Sequence, residues 1–416
     1  MPTGFSLLIA AQFTSALADN ALLIVTMALL QEQGVPGWWA PLLKFAFTLS
    51  YVVLAPVAGP LADAMPKARL MAWMNAIKVL GVLGLLVGVH PVLAYAVVGL
   101  GAAGYAPAKY GLVTEMVPAR QLVVANSWIE ISIVCAALLG AVTGGFLVSA
   151  LVCGSAVASQ ARQGLLAWGL PLDSALAGSL GLLLSVYGVA ALLQLGVPDS
   201  GARYARREIH PLALLRDFAA SNRLLWRDAE GGLSLGVTTL FWGVGATLQF
   251  AVLRWAQESL RLPLDQAAYL QAMVAVGVVL GAGVAGHRVA LHQAVRVLPA
   301  GVLLGLLITA VSLTQHFAVA LPLLALVGLV GGVLVVPMNA LLQHRGHQLL
   351  TAGRSIAVQG YNENLSILVM LAGYAGLLAL ELPVVPLMGV FGLLIAASMA
   401  VLWWRCRRRV LTQPAG

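Results

Sequence analysis

The sequence predicts an all-α integral membrane protein that crosses a lipid bilayer twelve times, and two observations carry the prediction. Of 416 residues, 61% are hydrophobic and only 9% are charged, against roughly 25% charged in soluble domains. The hydrophobic residues fall into twelve stretches, each near the ~20 residues one helical crossing needs, with short connections between them. Folded in water, this chain would have no polar surface to present. Its 44 glycines and 19 prolines suit helices in lipid, where small residues allow close packing and neighbours re-satisfy interrupted backbone bonds.

The stretches run over 5–30, 39–62, 70–89, 92–117, 127–153, 170–196, 232–256, 267–286, 297–315, 318–342, 354–379 and 385–404. The first starts at Phe5 without a basic leader or a small-residue cleavage site, so it reads as a retained span. One long polar connection separates six spans from six. It divides the chain into an amino-terminal six-helix bundle (1–197), a cytoplasmic linker (198–231) and a carboxy-terminal six-helix bundle (232–416) with a short basic tail. Such a division predicts two bundles related by pseudo-twofold symmetry. In the linker, Ile209, Leu212, Leu215 and Phe218 recur at helical spacing among arginines, the pattern of an amphipathic helix on the inner leaflet; a solvated linker fits equally.

Basic residues set the orientation. With both termini in the cytoplasm, only Arg162 and Arg261 fall in outer loops, and Lys44, Lys78, Lys109 and Arg254 lie within or at the end of spans; the remaining Lys and Arg are cytoplasmic. The net charge of +8 is therefore topological and gives no sign of a nucleic-acid partner. Cys135, Cys153 and Cys406 show no metal or redox spacing. The histidines fall near loops or span ends, and paired tryptophans such as Trp38, Trp39, Trp403 and Trp404 read as interfacial anchors. Gly140, Gly144 and Gly145 give the fifth span a small-residue face for close helix approach.

Polar residues inside the spans are the candidates for function, because an ionised side chain at mid-membrane costs about 2.5–3.5 kcal/mol and persists only if paired or wetted. At 100° per residue, Gln12, Ser15, Asp19 and Thr26 share one stripe of the first span, Asn126 and Glu130 one face of the fifth, and Gln359, Asn362, Glu363 and Ser366 one face of the eleventh. These three stripes are expected to line one cavity. Interhelical pairs such as Lys109 with Glu130, or Lys78 with Asp19, are the plain structural alternative.

Between the second and third spans stands GPLADAMPKAR (59–69), which resembles the loop signature of the major facilitator superfamily in Gly59, Asp63, Lys67 and Arg69. An acid beside basic residues at a helix end can latch neighbouring helices in one transport state, and Glu115 at the inner end of span four is a partner for that latch. GAGVAGHR (281–288) occupies the corresponding place in the second half, without the acid. AQFTSALADNALL (11–23), YAPAKYG (105–111), GVLVVPMNALLQHRG (332–346) and AVQGYNEN (357–364) further resemble the bacterial lysophospholipid transporter family.

That resemblance implies a twelve-helix facilitator that flips lysophosphatidylethanolamine and lysophosphatidylglycerol from the outer to the inner leaflet of the bacterial inner membrane by alternating access. It also implies a functional link to a lysophospholipid acyltransferase on the cytoplasmic side; a monomeric carrier without a cofactor is expected. Matching motifs carry over Asp19, Asn20, Lys109, Asn339, Gln359, Asn362, Glu363 and Asn364 as substrate-site candidates. Gln249 stands where the family has a basic residue, with Arg254 a little over one turn later. A lysophospholipid phosphate would suit Lys109 or Lys44, and an ethanolamine ammonium would suit Asp19, Glu130 or Glu363. Two other classes compete: a facilitator for another amphiphile, drug or polar metabolite, and a membrane-embedded acyltransferase. Against the latter, no His is followed by Asp five positions on, the spacing of a base and its orienting acid.

Overall fold

The computed structural model describes residues 4–35, 39–167, 169, 174–204, 210–380 and 382–412. Its helices in chain order are α1 (Phe5–Glu32), α2 (Trp39–Ala64), α3 (Lys67–Leu86), α4 (Pro91–Met116), α5 (Leu122–Val148), the single turn α6 (Ala150–Cys153), α7 (Ala156–Ala167), α8 (Ala177–Leu195), α9 (Pro211–Arg227), α10 (Ala229–Glu258), α11 (Leu264–Arg288), α12 (Leu298–Ser312), α13 (Phe317–Leu349), α14 (Ala352–Ala379) and α15 (Val384–Thr412). Among the described residues there is no strand, and twelve helices are long and apolar enough to cross a membrane. The twelve-span, all-helical expectation holds. Boundaries move where the hydrophobic run and the helix differ in length: α13 continues past the apolar stretch through Gln343, His344 and Arg345, and the fifth span starts at Leu122 and stops at Val148.

The chain packs as two compact units. Unit one comprises Met1–Met116, Cys135–Ser221 and Leu350–Tyr361; unit two comprises Val117–Val134, Asn222–Leu349 and Asn362–Gly416. Each unit takes a short segment from the other half of the sequence, the first turns of α5 going to unit two and those of α14 to unit one. The core of unit one is built by α1, α3, α4 and α8, with Leu22, Val25, Leu85, Val98, Leu183 and Tyr187 fully enclosed. That of unit two includes Trp255, Leu270, Leu298, Ile308, Leu324 and Leu334, all fully enclosed. Outer faces carry Val142, Leu192 and Leu393 in the open, as lipid-facing helix surfaces do.

Helix contact in unit two depends on missing side chains. A Cβ added at Gly281 would lie 2.0 Å from the Leu329 carbonyl oxygen, and one at Gly328 would lie 2.0 Å from that of Val274, so α11 and α13 meet backbone to backbone. In unit one, Gly140 and Gly144 seat α5 on the carbonyls of Leu17 and Ala21 in α1, whereas Gly145 faces open space and takes no part in that contact.

The helix α9 buries Leu214, Ser221 and Leu225 and leaves Leu212 and Leu215 exposed on its other face. Phe218 packs edge-on against Tyr361, 5.1 Å between ring centres, and Ile209 lies outside the described residues, as does Trp38. Arg354 reaches Asp217 at 3.5 Å.

Overpacking a close contact costs about 1–3 kcal/mol or more, while exposed substitutions stay within about 0.5 kcal/mol. Gly281→Val and Gly328→Val are therefore expected to lower the thermal unfolding midpoint of the detergent-purified protein clearly, and Gly145→Val to leave it near that of the wild type. Equal midpoints in all three would contradict the backbone contact.

Candidate functional site

The polar stripe of α1 meets two buried lysines of unit one. Lys78 on α3, 2% exposed, places its Nζ 2.6 Å from Asp19 Oδ2 and donates to Ser15 Oγ at 3.0 Å. Ser15 in turn donates to Asn75 Oδ1 at 2.9 Å. The other Asp19 oxygen accepts from the Tyr187 hydroxyl of α8 at 2.6 Å, and Tyr95 of α4 donates to the Asp19 carbonyl at 3.4 Å. About two turns from Asp19 along the stripe, Lys109 on α4 donates to Gln12 Oε1 at 3.0 Å and stands 4.2 Å from the centre of the Tyr110 ring. Four helices therefore converge on a ladder of alternating charge and amide, with Lys78 also lying over Tyr105 at 5.1 Å. Such an arrangement holds ions in a low-dielectric interior because each has a partner at short range. The Asp19–Lys78 pair, the structural alternative named above, is present.

The other candidates are distributed. Asn20 turns onto its own helix, donating to the Ala16 carbonyl at 2.8 Å, and Lys44 is half-buried on α2. In unit two, Asn126 of α5 and Gln343 of α13 exchange reciprocal amide bonds of 2.9 and 2.8 Å. Glu130 and Asn339, both buried, lie one helical turn further along the same two helices. Along α14, Gln359 belongs to unit one, while Asn362 and Glu363 belong to unit two. Asn362 accepts from Trp226 Nε1 at 3.1 Å and donates to Asn222 at 2.9 Å, so it is engaged with the end of α9. Gln249 is exposed, its carbonyl accepting from Gln271.

A second cluster forms at the α2–α3 turn of unit one. Lys67 lies 2.6 Å from Glu115 and 3.7 Å from Asp63. Asp63 also accepts from the Thr351 hydroxyl and, at 3.1 Å, from the Gly353 amide. Gly59 is needed for that approach, because a Cβ there would lie 2.8 Å from Arg354 Cα. Glu115 further accepts from Ser200 at 2.5 Å and from Tyr204 at 2.7 Å, both linker residues. Burial, followed by the Glu115 bond and the Asp63 charge, pushes the Tyr204 phenol above its usual range and keeps it a donor. Gly59, Asp63, Lys67 and Glu115 thus come together, whereas Arg69 is exposed and makes none of these contacts.

Sequence reasoning missed Ser200, Tyr204, Thr351 and Tyr187. A tyrosine inside a span is a signal that would have found the last; the linker residues carry none, since their partners depend on the path of the chain. A Gly-x-Ser-x-Gly string does occur at 232–236, but inside α10, where buried Ser234 donates to the Glu230 and Gly231 carbonyls of its own helix. It lacks the exposed strand-to-helix turn of a hydrolase nucleophile.

Comparison with known proteins follows the same lines. Residues 8–370 match the Major Facilitator Superfamily profile. The lysophospholipid transporter LplT of Yersinia pestis (strain Pestoides F) is 41% identical over 377 residues, covering 90% of this chain and 87% of that protein. Among solved structures, the human organic anion transporter MFSD10 (TETRAN) superposes with a TM-score of 0.75 at 12% identity, covering 98% of this chain and 100% of that one. A bacterial homologue of the iron transporter ferroportin, in an outward-facing state, gives 0.73 at 16% identity with the same coverage. At those identities the two structures share the fold alone.

Breaking one partner of a buried ion pair costs about 3–5 kcal/mol, whereas neutralising both is far milder. Asp19→Asn and Lys78→Met are each expected to destabilise the protein strongly, and the double variant to recover most of the loss, measured as a double-mutant cycle by thermal unfolding. Additive losses would show that the two charges do not depend on each other.

Proposed function

Because the chain belongs to the major facilitator superfamily and, within it, to the lysophospholipid transporter family, we propose that it moves lysophosphatidylethanolamine and lysophosphatidylglycerol from the outer to the inner leaflet of a bacterial inner membrane. The observation that carries this reading is the buried ladder on α1, where Asp19, Lys78, Lys109 and Gln12 set both signs of charge side by side within membrane-spanning helices. Opposite charges along one polar stripe match in sign the phosphate and the ammonium of one head group. The head group exchanges into bonds that the protein otherwise makes to itself. Lys109 takes the phosphate and Asp19 the ammonium, with Lys44, Glu130, Gln249, Asn339, Gln359, Asn362 and Glu363 as further contacts along the path and Asn20 positioning Asp19.

Alternating access requires breakable contacts at the inner end, and Gly59, Asp63, Lys67 and Glu115 supply them as a latch, with Arg69 at its exposed edge. Both termini and the basic linker lie in the cytoplasm, following the distribution of Lys and Arg. The carrier works as a monomer, without a cofactor, and delivers its product to a cytoplasmic-side acyltransferase, whose consumption of lysolipid favours inward movement.

Reconstitution into proteoliposomes tests this. Labelled lysophosphatidylethanolamine and lysophosphatidylglycerol added to the outer leaflet should become inaccessible to albumin extraction at least about tenfold faster than in protein-free vesicles, while a diacyl phospholipid and a soluble sugar should not move. No acceleration for either lysolipid, or movement of the soluble substrate in its place, would overturn the reading in favour of another facilitator.

A further inference from the structure

We propose that unit two receives the substrate's single acyl chain in a pocket between α10, α14 and α15, with Arg254 and Glu258 at its rim holding the head group before it crosses. This rests on the transport reading above and adds a tail site to it. The pocket measures ≈ 430 Å³ and is walled by Ala251 of α10, Met370 and Tyr374 of α14, and Leu387, Phe391 and Leu394 of α15. Its side-chain hydroxyls are those of Thr247 and Tyr374. Thr247 is committed to the Gly243 carbonyl of its own helix at 2.9 Å. The volume leaves room for a substantial length of one hydrocarbon chain. Apolar walls with so little polar lining fit a hydrocarbon and no polar metabolite.

The rim supplies the other half of the ligand. At 100° per residue, Arg254 and Glu258 continue the stripe of α10 that Thr247 and Ala251 begin, one to two turns beyond the pocket. The two side chains are ion-paired and partly exposed, so they are open to exchange. Tyr374 is 8% exposed, and its hydroxyl lies near enough to Arg254 and Glu258 to interact with both. A guanidinium suits a phosphate, a carboxylate suits an ethanolamine ammonium, and the Tyr374 hydroxyl is placed to donate to a phosphate or glycerol oxygen between them. Since α10 runs outward from the cytoplasmic linker in the proposed topology, this pocket lies in the outer half of the membrane, the leaflet that supplies the substrate.

The experiment compares oleoyl and hexanoyl lysophosphatidylethanolamine in proteoliposomes for the wild type and Gly373→Leu. Gly373 lines the pocket, and a Cβ there meets nothing within 4 Å, so the larger side chain fills space without displacing backbone. Gly373→Leu is expected to raise the apparent KM for the oleoyl lipid by about tenfold, the loss of roughly two buried methylenes, and to leave the hexanoyl lipid unchanged; Arg254→Gln should weaken both alike. In parallel, an oleoyl-length lysolipid with a photoreactive group at its tail end should label α10, α14 or α15 of the unaltered protein, a readout independent of any variant's folding. Efficient transport with labelling confined to other helices, or a Gly373→Leu variant that treats both chains as the wild type does, would overturn the pocket while leaving the transport reading standing. A wild type that moves neither lipid would overturn both.

Discussion

The constraint on which this structure rests is that a charge inside hydrocarbon must have a partner within bonding distance. Each buried ion costs a few kcal/mol to place, and the chain meets that cost on α1 by setting Asp19 against Lys78 and Tyr187, and Gln12 against Lys109. These contacts draw α3, α4 and α8 to one face of α1, the same helices whose apolar residues form the core of unit one. Packing alone would hold such helices with small residues and van der Waals contact, as Gly140 and Gly144 do for α5. Retaining ions beside that packing makes sense where the ions have a second partner to meet.

The α2–α3 turn of unit one follows the same rule with a different consequence. Lys67, Glu115 and Asp63 satisfy one another, but their bonds extend to Ser200 and Tyr204 of the linker and to Thr351 and Gly353 at the start of α14. Polar contacts of this kind have discrete made and broken states, whereas interdigitated apolar surfaces do not. Tyr204 thereby joins this cluster, through a phenol that burial and two carboxylates keep protonated. In unit two the Asn126–Gln343 amide clasp is neutral, and its reciprocal geometry ties α5 to α13 without placing charge in the membrane.

How much of this was legible in the sequence follows from the range of each interaction. Span number and helical class come from local apolar run lengths, and the α1 stripe comes from local periodicity, so both could be read directly. The α2–α3 motif named Gly59, Asp63 and Lys67 correctly as neighbours because its spacing is itself local. Arg69, from the same motif, stays exposed because it falls on the outer side of the first turn of α3. What failed to appear was non-local: Tyr204 reaching Glu115, Trp226 and Asn222 claiming Asn362, and the burial of Leu214, Ser221 and Leu225 on the face of α9 opposite the exposed Leu212 and Leu215. A helix with apolar residues on two faces does not declare which one its neighbours will cover.

The central claim is that the Asp19–Lys78 pair is kept for a head group as well as for the fold. Its most direct measurement is the affinity of the purified Asp19→Asn, Lys78→Met double variant for lysophosphatidylethanolamine, made on a protein whose thermal stability matches the wild type. The account predicts an affinity weaker by at least about tenfold, the loss of one charge-assisted contact. Wild-type affinity in that stable, uncharged variant would contradict it and leave the pair a purely structural tie.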